Sequence, residues 1–172
     1  MPGAGKSELA CILERHGFAI IHFGDITWLE LEKRKLERNE KNERFIRELL
    51  RTEHGMAAYA ILNMPRINTM LASSNVAIDG LYSWEEYIWL KERYSSLFQV
   101  LAIWASPATR YERLSNRLER SLSFSEASDR DRAEIENINK GGPIAMADFT
   151  IRNESSLEAL ATEVEDFIQK CQ

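Results

Sequence analysis

The sequence predicts an α/β domain: a parallel sheet with helices on both faces. Three observations support this. Short apolar runs alternate with longer amphipathic or charged segments, the pattern left by strands joined through right-handed helical crossovers. Those runs are nearly unbroken, as strands buried on both faces are. The length of 172 residues, with 44% hydrophobic and 28% charged side chains, suits one compact domain with a real core.

Taken in order, the chain opens Met1-Pro2-Gly3-Ala4-Gly5-Lys6-Ser7-Glu8, and a helix pattern runs on through Leu9, Ile12 and Leu13 to a stop at Gly17. Phe18 to Phe23 reads as a strand buried on both faces, closed by Gly24-Asp25. Residues 26–72 are charged and helical, two or three helices, with Glu30–Arg34, Glu40–Arg44 and Glu43–Arg47 as acid-before-base pairs four apart. Asn75 to Gly80 is a second strand, and Ser83 with Glu86 has the spacing of a capping box for a helix ending near Tyr94. Phe98 to Trp104 is a third strand. Pro107 starts a helix bearing Arg110, Arg113, Arg117 and Arg120 on one face. After a polar stretch and the breaker Lys140-Gly141-Gly142-Pro143, where the glycine pair reads as a hinge or turn, Ala147 to Ile151 is a fourth strand. Ser155 to Lys170 closes the chain as an amphipathic helix.

Composition excludes several classes. A net charge of -5 argues against a general nucleic-acid binder, whose phosphate contacts need a basic surface. No apolar run approaches the length that spans a bilayer, and no signal peptide opens the chain. Cys11 and Cys171 make no metal spacing, and Cys11 among apolar helix residues reads as a buried, inert thiol. His16, His22 and His54 have no carboxylate partner at a readable spacing, and the four tryptophans read as packing residues. A cytoplasmic setting is the default.

Gly3-Ala4-Gly5-Lys6-Ser7 fits the second half of the phosphate-loop pattern. Glycines let backbone N–H groups turn toward a polyphosphate, and the following helix N-terminus adds partial positive charge. Lys6 would reach the transferred phosphate, and the Ser7 hydroxyl would ligate Mg²⁺. A glycine-containing terminus before an ordinary helix is the plainer alternative. The pattern's first glycine would fall one residue before Met1, and a strand should precede it. The expectation is therefore a shortened chain whose first central strand is absent; the alternative is a natural chain with an incomplete loop and a sheet completed otherwise.

The loop, Phe23-Gly24-Asp25, Val76-Ala77-Ile78-Asp79-Gly80, Ala105-Ser106-Pro107 with Arg113-Leu114 and Arg117, and Ala147 to Glu158 follow one another in an order that resembles small P-loop proteins of the adenylate-kinase-like and dephospho-CoA-kinase-like kind. The resemblance implies a three-layer P-loop NTPase fold across residues 1–172, with a helical acceptor-binding insert at 26–72 and a lid at 110–140. It implies ATP-dependent phosphoryl transfer with Mg²⁺ to a nucleoside monophosphate or related small acceptor. Gly3, Ala4, Gly5, Lys6, Ser7 and Glu8 would hold the nucleotide, and Asn153 would lie near its adenine. Arg113 and Arg117 would face the phosphates, with Arg130 or Arg132 joining as the lid closes. Asp79 would take the second-shell Mg²⁺ position, and Gly24, Asp25 and Gly80 the acceptor site.

Two departures put the acceptor half in doubt. Adenylate kinases carry arginines where this chain has Trp28 and Tyr82, and neither can replace a bidentate cation. The acceptor would then be held by other groups such as Arg47, Arg51 or Arg66. Trp28 could stack on a base, and Asp25 could orient an acceptor hydroxyl, as an acid near this position does in dephospho-CoA kinases, or simply cap a helix. A nucleotide-binding regulatory protein without turnover is the rival from another class. Acceptor identity and any homo-oligomer are left open.

Overall fold

The computed structural model describes residues 1–118 and 121–171. Its elements in chain order are α1 (Lys6–Arg15), β1 (Ala19–His22), α2 (Asp25–Lys33), α3 (Glu40–His54), α4 (Ala58–Leu71), β2 (Val76–Asp79), α5 (Trp84–Tyr94), a single 3₁₀ turn (Ser95–Leu97), β3 (Leu101–Trp104), α6 (Pro107–Ser115), α7 (Phe124–Glu136), α8 (Gly141–Ala145), β4 (Phe149–Arg152) and α9 (Leu157–Cys171). They form two compact units, one of Met1–His16 with Gln99–Gln172 and one of Gly17–Phe98.

Parallel strands and helical crossovers are present, but the strands do not form one sheet. β1 pairs with β2, in register Ala19 to Val76 through His22 to Asp79, and β3 pairs with β4, Leu101 to Phe149 through Trp104 to Arg152. Each pair joins strands of one unit, and among the described residues no further strand extends either ladder. The expected burial of β1 on both faces is also corrected: Ile21 and Phe23 are buried, whereas His22 is exposed.

In the continuous unit, α2, α3, α4 and α5 bury Leu31, Ile46, Leu50, Tyr59, Ile67 and Leu90 against Ile21 and Phe23. Asn39 starts α3 by accepting from the Asn42 amide at 3.0 Å, which explains the break in the charged run. Glu30–Arg34 and Glu43–Arg47 pair as the spacing predicts, at 3.1 and 3.6 Å. Glu40 instead pairs with Arg47, and Arg44 with Glu48.

α5 begins with the predicted capping box, Ser83 and Glu86 each accepting from the other's backbone N–H. The fully buried Ser83 hydroxyl also donates to the Met56 carbonyl at 2.9 Å, so this cap fastens α5 to the turn before α4. Ser83→Ala is expected to lower the unit's stability by about 1–2 kcal/mol, read as a shift in urea midpoint without a change in slope.

In the discontinuous unit, α1 packs on α9, and Leu9, Ile12, Leu13, Ile103, Leu114, Ile151, Leu160 and Val164 are buried. Cys11 is exposed, contrary to expectation, because residues 9, 12 and 13 define the buried face of α1 and position 11 falls off it. The Gly141-Gly142 pair opens the short helix α8 rather than forming a free hinge. Trp28 and Trp104 are about 41% and 43% exposed, so neither is a core packing residue.

Candidate functional site

The phosphate-loop residues lie in the discontinuous unit. Pro2, Gly3 and Ala4 are buried, and α1 starts directly from Gly5, with no side chain capping its first amides. Gly3 and Gly5 adopt φ of 77° and 103°, in the left-handed region that glycine enters without strain. Close packing reinforces the requirement. A Cβ on Gly3 would lie 2.7 Å from the Arg110 carbonyl, and one on Gly5 would overlap the Asn153 amide.

Three groups fix the loop from outside its own sequence. Asn153, buried at the end of β4, donates from Nδ2 to the Ala4 carbonyl at 2.9 Å, and its own backbone N–H bonds the Trp104 carbonyl at 2.7 Å. Arg113 on α6 holds Asn153 in turn, donating to its carbonyl at 3.0 Å and to Oδ1 at 3.4 Å. Arg110 donates to the Pro2 carbonyl at 3.3 Å and the Ala105 carbonyl at 3.1 Å. It also forks onto Asp131 of α7 at 2.9 and 2.6 Å. The Tyr111 hydroxyl donates to the same carboxylate at 3.0 Å. Asn153, which the resemblance would put near the adenine, is thus the clamp of the loop here.

Several charged side chains stand around the loop. Lys6 donates from Nζ to the Met1 carbonyl at 3.2 Å. Burial, with the charges of Lys6, Lys140 and Arg110, pushes the Met1 amine down to about 5, while Glu134 works the other way. Burial alone would raise the Glu134 carboxyl. The buried Lys140 ammonium at 2.5 Å, helped by Arg130 and Lys6, outweighs it and leaves Glu134 below the usual carboxylate range. Ser7 and Glu8 are exposed on the first turn of α1.

The arginine stripe of the sequence is broken by the fold. α6 ends at Ser115 and is capped at Asn116, so Arg117 is exposed in the segment beyond it and not on the helix face. Arg120 lies outside the described residues. Arg110, buried at 4% exposure, serves the fork to Asp131. Arg130 and Arg132 make exposed i,i+4 pairs with Glu134 and Glu136 along α7. Asp131, Glu134 and Lys140 escaped the sequence reading, because their partners lie on other elements or across a loop. Ser106 caps α6, accepting from the Thr109 amide, and both hydroxyls donate to Glu154, whose carboxyl these hydrogen bonds hold low, Thr109 first.

The remaining candidates lie in the continuous unit. Gly24 and Asp25 follow β1 and open α2, and Asp79 and Gly80 close β2, so all four are at the carboxyl ends of paired parallel strands. Asp79 accepts from or faces His22 Nδ1 at 3.2 Å, which gives that histidine the carboxylate partner that its spacing concealed. Asp25 is paired with Arg66 of α4 at 3.1 Å. Gly80 has φ 112°, and a Cβ there would come within 2.7 Å of the Tyr82 ring, which lies over it. The Tyr82 hydroxyl is also 3.6 Å from where a Gly24 Cβ would be. The Arg38 guanidinium covers the Trp28 ring at 3.6 Å.

Ser7 is a hard oxygen donor, the type Mg²⁺ takes, and Mg²⁺ commonly completes its octahedron with phosphate oxygens and water. Among the described residues no group of three His, Cys, Asp or Glu side chains could hold a metal ion. No helix among them is long and apolar enough to cross a membrane.

Residues 1–137 match the AAA domain family. A UPF0200 protein of Pyrococcus abyssi is 32% identical over 178 residues, covering 99% of this chain and 92% of its own length. A UPF0200 protein of Methanococcus maripaludis is 31% identical over 173 residues, with 99% and 93% covered. The crystal structure of TT1252 from Thermus thermophilus superposes with a TM-score of 0.68 at 18% identity, covering 99% of this chain and 94% of that one, and so shares the fold. The α/β P-loop architecture and its nucleotide-binding character follow, and the chain belongs to the UPF0200 family, with an AAA domain over residues 1–137.

Proposed function

We propose that this protein binds ATP with Mg²⁺ on the Gly3–Ser7 loop and transfers the terminal phosphoryl group to a nucleoside monophosphate or a related small acceptor. The observation that carries this is the loop itself: two left-handed glycines ahead of a helix N-terminus whose first amides no side chain caps, with Lys6 at its start. Anionic oxygens are what free backbone amides at a helix start favour.

Lys6 would spread the charge of the phosphoryl group as its bond to the leaving oxygen breaks and a new bond to the acceptor oxygen forms. Ser7 is the candidate Mg²⁺ contact on the loop, and the ion would neutralise charge on the phosphates when bound. Arg113 and Arg117 are the candidates for charge stabilisation in transit. Arg113 reaches that role by exchanging its bonds to Asn153 for phosphate oxygens. Gly24, Asp25 and Gly80 would line the acceptor site. The adenylate-kinase-like and dephospho-CoA-kinase-like readings differ in the acceptor alone, and a cytoplasmic setting goes with either.

Calorimetric titration with ATP·Mg²⁺, followed by a panel of nucleoside monophosphates and dephospho-CoA, tests the reading. Lys6→Ala is expected to cut turnover by about 100- to 1,000-fold while the far-UV spectrum is unchanged. Product from dephospho-CoA alone would replace the first acceptor by the second. A folded chain that ignores ATP, or one that binds it equally well without Lys6, would overturn the proposal and leave a protein that does not use this loop.

A further inference from the structure

We propose that Arg66 is the anchor for the acceptor's anionic group, a phosphate monoester or a free oxyanion of the same shape. This rests on the phosphoryl-transfer reading for its purpose, though not for its chemistry. The resemblance implies two arginines on that group, and this chain has Trp28 and Tyr82 at those positions.

Of the three arginines that the sequence offers as substitutes, Arg66 is the one tied to the residues at the end of β1. Arg47 is held between Glu40 at 2.6 Å and Glu43 at 3.6 Å. The Arg51 guanidinium stands over the Tyr59 ring at 5.6 Å, and its buried Nε has no hydrogen-bond partner among the described residues. Arg66 differs from both. Its NH1 donates to Asn63 Oδ1 at 3.1 Å and its NH2 to Asp25 Oδ2 at 3.1 Å. A guanidinium has five N–H donors, so these two bonds leave three for an incoming oxyanion. The side chain is one-third exposed, at 33%, so solvent and solutes reach it.

The fork is also held ready. Asn63 is fully buried and fixed by its own donation to the Tyr59 carbonyl at 2.9 Å and the Phe23 carbonyl at 3.4 Å. A rigid amide tied to the residue before Gly24 therefore sets the plane of the guanidinium, and little side-chain freedom remains to be lost on binding. Asp25 supplies the second tether. A partly exposed ion pair of this kind is weak in water, so Asp25 orients the cation without neutralising it for a doubly charged phosphate.

Its position agrees. Arg66 reaches the Gly24–Asp25 corner at the carboxyl end of β1, where ligands of open parallel sheets bind. The Tyr82 hydroxyl stands 3.6 Å from where a Gly24 Cβ would be. Planar bidentate recognition of phosphate is what arginine does and lysine does not.

The experiment titrates the full chain with AMP, with inorganic phosphate and with adenosine, by calorimetry and by amide shifts at Gly24, Asp25 and Arg66. AMP and phosphate are expected to bind there, and adenosine not. Arg66→Ala is expected to weaken AMP by about 10- to 100-fold, with ATP binding at the phosphate loop unchanged. Arg66→Lys keeps the charge and loses the fork, so an intermediate affinity is expected, and it carries the test if the alanine variant does not fold. AMP bound equally by parent and Arg66→Ala overturns the anchor. So does a chain that takes ATP but neither AMP nor phosphate at about 10 mM. Loss of ATP binding with AMP still held by Arg66 would remove the phosphoryl-transfer reading and leave the anchor standing. Binding of phosphate but not AMP would assign the site to the free oxyanion.

Discussion

Arg110→Ala is expected to destabilise the unit that holds the phosphate loop by about 3–5 kcal/mol, the cost of leaving one charge of a buried pair alone. Arg110 and Asp131 are 4% and 8% exposed, and the alanine would strip the Asp131 carboxylate of two bonds, leaving it the Tyr111 hydroxyl. Pro2 and Ala105 would lose their donor as well. Urea unfolding measures the loss, and a shift below about 1 kcal/mol would refute the pairing. The double variant Arg110→Met with Asp131→Leu separates net worth from orphaned charge. Where the fork only balances its desolvation, the double variant is expected to regain most of the stability. Nucleotide affinity should not recover with it, because the Pro2 carbonyl still lacks its clamp.

Gly5→Ala is expected to be the most damaging small change in the loop. The backbone at φ 103° costs an L-residue about 1–3 kcal/mol, and the new Cβ would overlap the Asn153 amide that holds Ala4. Either Asn153 withdraws, releasing the loop, or the loop itself moves. Both outcomes should lower ATP affinity by more than tenfold, measured by the same calorimetry. Gly17→Ala is the control: φ is 86°, yet nothing lies within 4 Å of its Cβ, so strain acts there without collision. If the two variants bind ATP alike, the packing of Asn153 on Gly5 is irrelevant to the site. Gly5→Ala with Asn153→Ala should show coupling, since the second change removes the obstacle.

What could be read in advance was local. Ser83-x-x-Glu86 and Ser106-Pro107 mark helix starts through contacts three residues long, and both helices begin where those residues place them. Gly3 and Gly5 could be recognised because the strain they avoid lies in their own backbone. The arginine stripe misled for the same reason. Spacing of three and four has meaning only while the helix lasts, and α6 stops at Ser115, two residues before Arg117. His22 and Asp79 are 57 positions apart and meet because β1 and β2 pair in that register. Arg110 and Asp131 sit on different helices, and nothing in either segment names the other. Strand pairing was the largest gap: four apolar runs suggest a sheet, while the pairing partners depend on which crossovers close.

The clamp on the loop has a consequence for synthesis. Asn153 and Ala4 are 149 positions apart, and Arg110 reaches Pro2 across 108. Residues 2–4 leave the ribosome long before residue 153, so their carbonyls wait across those separations before they find their donors. Residues 17–98, continuous in sequence, can close their own contacts meanwhile. Nascent chains stalled before residue 153 should hold a folded middle and a loop not yet able to grasp phosphate. Competence then arrives late, in one step, when β4 brings its asparagine home.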